Sequence, residues 1–211
     1  MTPKFFWVGA FFVFFAFAVS GQSQAGEPTE NIKDIADRII AIVSDPALKT
    51  SGKDAGEKES NKEKMKKRNR MVREVVDERF DWEEFSRRTL ARHWRDRTDD
   101  EKKEFIYLFG KLLERTYLDK VEGYSGEKVI YLDEAVDGDY AIVNVKIITK
   151  KETEIPVKYR LKKKGNDWFV YDVIIEGVSL VNNYRTQFNS IIVRYKYQGL
   201  VKRLRAKVEK E

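Results

Sequence analysis

Trp168 to Phe188 reads WFVYDVIIEGVSLVNNYRTQF, and a change of rhythm inside it decides the fold class. Trp168 to Ile175 is rich in aromatic and β-branched residues, the composition of a half-buried strand. Glu176-Gly177 breaks the run. From Ser179 onward Val181, Tyr184, Phe188, Ile191, Ile192 and Tyr195 recur at helical spacing. Ser179 is a suitable N-cap, because its hydroxyl can accept from a free amide of the first turn. A strand therefore hands the chain directly to an amphipathic helix, which makes this an α+β chain.

Upstream, the period is two from Lys128. Val129 to Leu132 reads as a first strand, and Asp137-Gly138 as a hairpin turn. Tyr140 to Thr149 alternates, with Ala141, Val143, Val145 and Ile147 on one face. Ile155 to Leu161 alternates again, with Ile155, Val157, Tyr159 and Leu161 on one face and Lys158 and Arg160 on the other. Pro156 points to an edge or a bulge at that end. Lys164 to Asp167 turns into the Trp168 strand. The prediction is a four-stranded antiparallel meander with one apolar face, which only the flanking helices can cover.

Those helices carry their own punctuation. Thr29 can cap a helix whose apolar face is Ile32, Ile35, Ala36, Ile39, Ile42 and Val43, and Asp45-Pro46 ends it. Lys49 to Asn61 is polar and reads as a loop, and Lys62 to Lys67 as a solvated helix face. Met71, Val72, Val75, Val76 and Phe80 mark a second helix. Asp81 to Glu84 has capping-box spacing ahead of a short helix ending at Leu90, and Thr98 to Glu101 repeats that spacing ahead of a longer one. The longer helix carries Phe105, Leu108, Phe109, Leu112 and Leu113, extended by Tyr117 and Leu118. Leu200, Val201, Leu204 and Val208 form a last, basic helix.

The first 25 residues have a different character. Lys4 precedes an apolar run from Phe5 to Val19, and Ser23-Gln24-Ala25 is a small-x-small cleavage site. The run, about 15 residues, is short for a bilayer span, so residues 1–25 read as a secretory signal peptide and 26–211 as one domain. The chain has no cysteine, which excludes a lipid-anchored cysteine, disulfides and thiolate metal sites. Its formal charge is +6, or +5 without Lys4. In an exported protein that balance suits anionic headgroups or acidic proteins rather than nucleic acid.

Reactive chemistry is sparse. His93 is the one histidine, and there is no nucleophile elbow, phosphate-cradling glycine loop, HExxH or calcium loop, so neither catalytic nor metal-ligating residues are assigned. Asp172 and Glu176 would share a face on period two, as an acid–base pair would. Two solvated carboxylates, or one paired with Arg185, is the plainer reading. The balance favours a binder. Two alternatives are a small-molecule enzyme with a cone-shaped pocket, for which the inward positions Val143, Val145, Val157 and Tyr159 offer no carboxylate, and an adaptor with a closed core.

The stretch W-x-V-Y-D-V-x-I-E-G-V-S-L-V-x-N-Y-R-x-Q-F resembles the signature of the MlaC, or toluene-tolerance, family of periplasmic phospholipid carriers. Further likeness lies in Arg79-Phe80-Asp81, Phe85-Ser86-Arg87-Arg88-Thr89-Leu90, Trp94, Thr98, Phe105, Phe109, Leu112-Leu113, Tyr117 and Ile155 to Leu161, from about Thr29 to Leu204. Ala91 departs from it, standing where the family usually has Gly. The resemblance implies an NTF2-like/MlaC-like α+β fold: a curved four-stranded sheet wrapped by helices, with an apolar cavity between them. It implies a soluble periplasmic carrier without enzymatic activity or cofactor. Its ligand would be a diacyl glycerophospholipid, tails inside and headgroup outside. Its partners would be an outer-membrane lipoprotein complex and an inner-membrane ABC transporter with an MCE-domain ring, and its role the maintenance of outer-membrane lipid asymmetry. A tail pocket there would be lined by Val143, Val145, Ile147, Val157, Tyr159, Val173 and Ile175 from the sheet, faced by Phe105, Phe109 and Leu112. Lys202, Arg203, Arg205 and Lys207 would steer docking onto partners.

Overall fold

The computed structural model describes residues 27–49, 58–122 and 126–209. The expected signal segment, residues 1–25, lies outside the described residues, as do residues 50–57 of the expected loop. The helices are α1 (Glu27–Ser44), α2 (Lys58–Arg79), α3 (Trp82–Leu90), α4 (Asp99–Glu122) and α5 (Leu180–Val208). Between α4 and α5 run β1 (Lys128–Asp137), β2 (Tyr140–Ile148), β3 (Glu154–Lys164), β4 (Asp167–Ile175) and the two-residue β5 (Val178–Ser179). The sheet is an antiparallel meander in the order β1-β2-β3-β4-β5, so it has five strands rather than four. The extra strand is the expected break itself: Gly177, at φ +82°, turns the chain so that Val178 pairs with Ile175 before the helix starts.

Register confirms the apolar face. Ala141, Val143, Val145 and Ile147 pair across from Leu161, Tyr159, Val157 and Ile155. Bulges at Leu132 and Tyr171 shift the pairing and let the sheet curve. After the Tyr171 bulge, Val173 and Ile175 return to the face that Trp168 and Val170 occupy on the other side of it. Pro156 sits in an interior strand, not at an edge. Its carbonyl accepts from Glu176 N–H at 3.0 Å on the β4 side. A strand residue directs its N and its C=O to the same side, so the missing donor costs β3 no bond to β2.

The caps behave as their spacing predicts. Glu84 N–H donates to Asp81 Oδ1 at 3.0 Å. Thr98 and Glu101 exchange reciprocal bonds of 3.0 and 3.2 Å, and Asn182 N–H donates to Ser179 Oγ at 3.1 Å. Three further expectations fail. Thr29 lies inside α1 and is not its cap; its N–H and hydroxyl both donate to Glu134 of β1. α2 begins at Lys58, so residues 58–61 of the expected loop are helical. Tyr195, expected on the buried stripe, is 52% exposed, because α5 breaks at Lys196 (φ +61°, ψ 176°) and the stripe does not run through the kink.

Two apolar cores result. The helical core joins Phe85 and Leu90 of α3, Phe105, Phe109 and Leu112 of α4, and Tyr184, Phe188 and Leu200 of α5. Its centre is a set of ring contacts with centroids 5.0–5.8 Å apart among Phe85, Phe105, Phe109, Tyr184 and Phe188. The sheet core joins Val143, Val145, Val157, Leu161, Trp168 and Val170 with Ile32 of α1. Phe80 packs against both cores. It also makes a parallel bridge to Val170, while Asp81 N–H donates to Val170 C=O at 2.8 Å, so the α2–α3 junction covers the free edge of β4.

Candidate functional site

The sheet's apolar face is covered by α1, and not by α4 as the helical spacing of Phe105, Phe109 and Leu112 predicts. Those three side chains pack on α3 and α5 in the helical core. Val143, Val145 and Val157 are fully buried in the sheet core, and Ile147, Tyr159 and Val173 lie partly buried against it; Ile175, across from Val157, is also only partly buried. The two groups are thus not brought face to face. The partly buried members, with Val129, Tyr131 and Ile155, run along the apolar face from the Val129–Ile147–Ile155 row to the Val143–Tyr159–Val173 row, a part of the face that α1 covers incompletely. Burial pushes the Tyr131 phenol up to about 12 and raises that of Tyr159.

The apolar pocket lies where α1, α2 and α4 meet, and no sheet residue lines it. Its volume is about 190 Å³, and its walls are Ile39, Val72, Val76, Phe80, Trp82, Leu113, Tyr117 and Leu180, with Arg73 and Glu114 as its charged members. Each wall follows from a pattern in the chain. Val72 and Val76 are one turn apart on α2, as are Leu113 and Tyr117 on α4. Phe80 is fixed by its bridge to β4, and Leu180 by the Ser179 cap. No residue expected to line a tail pocket lines this one. α4 instead uses the neighbouring stripe, Leu113 and Tyr117, and gives Phe109 and Leu112 to the core.

The charged members sit in a defined cluster. Arg73 Nε donates to Asp77 Oδ1 at 2.6 Å, and Arg73 Nη1 to Glu114 Oε2 at 3.2 Å. The guanidinium lies over the Trp82 ring, 4.6 Å from its centroid. Trp82 Nε1 donates to the same Asp77 oxygen at 2.7 Å, and Lys111 Nζ to Glu114 Oε2 at 2.8 Å. A side chain on Gly110 would stand 3.1 Å from Arg73 Nη2, so glycine there lets the guanidinium lie against α4. No pattern in the sequence marks Arg73; it is one cation among many on α2.

Asp172 and Glu176 do not form an acid–base pair. Asp172 is 1% exposed and accepts from Ser179 Oγ at 2.7 Å, Val181 N–H at 3.1 Å and Arg160 Nη1 at 3.3 Å. Glu176 is in the turn beyond β4, and Arg185 donates to the Arg88 carbonyl instead. Among the docking candidates, Lys202, Arg203, Arg205 and Lys207 are all exposed. Arg205 is paired with Glu104, and the Arg203 guanidinium lies 4.3 Å from the centroid of the Tyr195 ring. No group of His, Cys, Asp and Glu among the described residues is placed to hold a metal ion. No helix among them is long and apolar enough to cross a membrane.

The profile of the MlaC protein family matches residues 34–206. The intermembrane phospholipid transport system binding protein MlaC of Haemophilus influenzae is 26% identical over 101 residues, which cover 46% of this chain and 47% of that protein. The match thus spans about half the length of that curated relative. A solved structure, the phospholipid-binding protein from Ralstonia solanacearum in complex with a phospholipid, superposes with a TM-score of 0.74 at 24% identity, covering 87% of this chain and 97% of that one. That likeness is one of fold.

Proposed function

This chain belongs to the MlaC family, and from that premise we propose that it carries phospholipid, with acyl tails entering the pocket between α1, α2 and α4 and extending along the incompletely covered part of the sheet's apolar face. The observation that carries this reading is the pocket: its walls are apolar, and the paired charges of Arg73 and Glu114 stand beside it. That is the complement of an amphiphile. A diacyl lipid buries about 30 methylenes at roughly 0.8 kcal/mol each, so a carrier must keep them dry. At about 190 Å³ the pocket holds only part of that volume. Full loading therefore requires the walls to part, and the α1–α2 hairpin is the wall that can move. It is tied to the sheet at the start of α1, by Thr29 to Glu134 and Trp168 Nε1 to Glu27 at 3.3 Å, and is bonded across itself by Arg38 and Glu78.

On this reading the mature chain, 26–211, works in the periplasm after loss of residues 1–25 and passes lipid between an outer-membrane lipoprotein complex and an inner-membrane ABC transporter with an MCE-domain ring. It moves lipid without transforming it. Lipids extracted from the purified mature protein are identified by mass spectrometry, in wild type and in Val76→Trp, which fills the pocket. Phospholipid in the wild type and its loss in a folded Val76→Trp variant is the expected result. Lipid-free wild-type protein would overturn the reading.

A further inference from the structure

We propose that Arg73 and Glu114 form the headgroup end of the pocket and select zwitterionic phospholipids that carry a primary ammonium group. The phosphodiester replaces Glu114 on the Arg73 guanidinium, and the Glu114 carboxylate accepts the N–H groups of the headgroup ammonium. This inference rests on the carrier reading above.

Four observations lead to it. First, Arg73 and Glu114 are the charged residues of the pocket's lining and pair with each other beside its apolar walls, where the polar end of an amphiphile whose tails lie in the pocket would emerge. Second, Arg73 does not depend on Glu114 for its position. Asp77 holds Nε at 2.6 Å, Trp82 supports the flat of the guanidinium, and Gly110 leaves room for Nη2 against α4. When Glu114 turns away, the planar fork stays aimed, which suits phosphate oxygens. Third, Glu114 keeps a partner when Arg73 exchanges, because Lys111 is 2.8 Å from the same oxygen. The exchange therefore strands no charge.

Fourth, the cluster is balanced: Arg73 and Lys111 against Asp77 and Glu114. A zwitterionic headgroup preserves that balance. A net-anionic headgroup such as phosphoglycerol adds a negative charge beside two carboxylates. Arg73 and Glu114 are only 24% and 19% exposed, so this repulsion is screened less than on an open surface. A choline headgroup keeps the charge but offers no N–H to Glu114, so ethanolamine is favoured over both.

The test uses the mature protein stripped of lipid, incubated with vesicles of phosphatidylethanolamine, phosphatidylglycerol and phosphatidylcholine in equal amounts, then re-isolated for lipid mass spectrometry. Wild type is expected to return a pool enriched in phosphatidylethanolamine. Arg73→Gln should take up roughly tenfold less total lipid, the loss of one charge-assisted contact. Glu114→Gln should return a pool close to the vesicle composition. If Arg73→Gln does not fold, Glu114→Gln decides, because Arg73 and Lys111 remain in place. Wild type that loads lipid without ethanolamine enrichment, or a Glu114→Gln pool with unchanged enrichment, overturns the headgroup inference and leaves the carrier reading standing. Wild type that takes up no lipid from any vesicle overturns both.

Discussion

Ala91 follows α3 at φ +49°, ψ −120°, a backbone region where a Cβ is strained and glycine is not. The structure thus gives a reason for the glycine that the family usually has there. Ala91→Gly is expected to stabilise the protein by about 1 kcal/mol, since the strain relieved exceeds the extra chain entropy lost; a denaturant midpoint that falls would contradict this. Asp172 satisfies a different demand. Its carboxylate is buried at the start of α5, where it accepts from Ser179 and Val181, and Arg160 supplies the counter-charge. Asp172→Ala strands these donors and should cost about 3 kcal/mol, whereas Asp172→Asn retains an acceptor and should cost less. Equal losses in the two variants would count against a capping role. Glu84 sets a pH dependence. Hydrogen bonds from Arg87, opposed by burial and aided by Arg88, hold its carboxyl down from 4.5 to about 2. A depressed folded pKa means stability that is present above the unfolded pKa and lost as pH falls from about 4.5 toward 2. Over that window the melting temperature of Glu84→Gln should fall less than that of wild type. Parallel curves would rule the effect out.

Strands and helices differ in how much of their packing the sequence exposes. A strand has two faces, so the alternation of Val143, Val145 and Val157 was enough to place them together, and they are. α4 presents a wider arc. Phe105, Leu108, Phe109, Leu112, Leu113 and Tyr117 span more than one stripe, and nothing in their spacing says which stripe meets α5 and which meets the pocket. The choice was made by the position of α1 over the sheet. Arg73 was illegible for a related reason: its role depends on Trp82, Gly110 and Glu114, which are remote from it along the chain or on another helix. Burial also separates sheet positions that the sequence treats alike. Val145, 2% exposed between Tyr131 and Val157, has no room. Val173, opposite Tyr159, is only partly buried. Val145→Trp should overpack the core and cost about 1–3 kcal/mol, and Val173→Trp should cost well under that. Chemical denaturation of both compares them directly, and similar losses would mean that the sheet has no spare room at Val173 either.

In the whole molecule, two cores share Phe80 and are otherwise closed separately, with the pocket at their seam. The helical core is dense with aromatic contacts. It contains no member of the α1–α2 hairpin among its buried residues. The hairpin is held differently. Ile32 anchors the first half of α1 on the sheet, while Ile35, Ile39 and Ile42 further along are only partly buried. α2 reaches α4 across the pocket through the Arg73–Glu114 pair. A part-exposed ion pair of this kind contributes at most about 1 kcal/mol, little compared with the transfer free energy of an acyl chain. On the carrier reading, lipid entry would open this seam without disturbing either core. Amide exchange should report it. In the empty protein, Ile39 to Val43 and Val72 to Val76 should exchange faster than Phe105 to Leu112 and Tyr184 to Phe188, because local opening suffices there. Adding phosphatidylethanolamine vesicles should protect the first pair of segments and leave the second pair unchanged. Protection spread evenly over all four would mean that lipid stabilises the fold as one unit, and exchange unaffected by lipid would place the tails somewhere other than this seam.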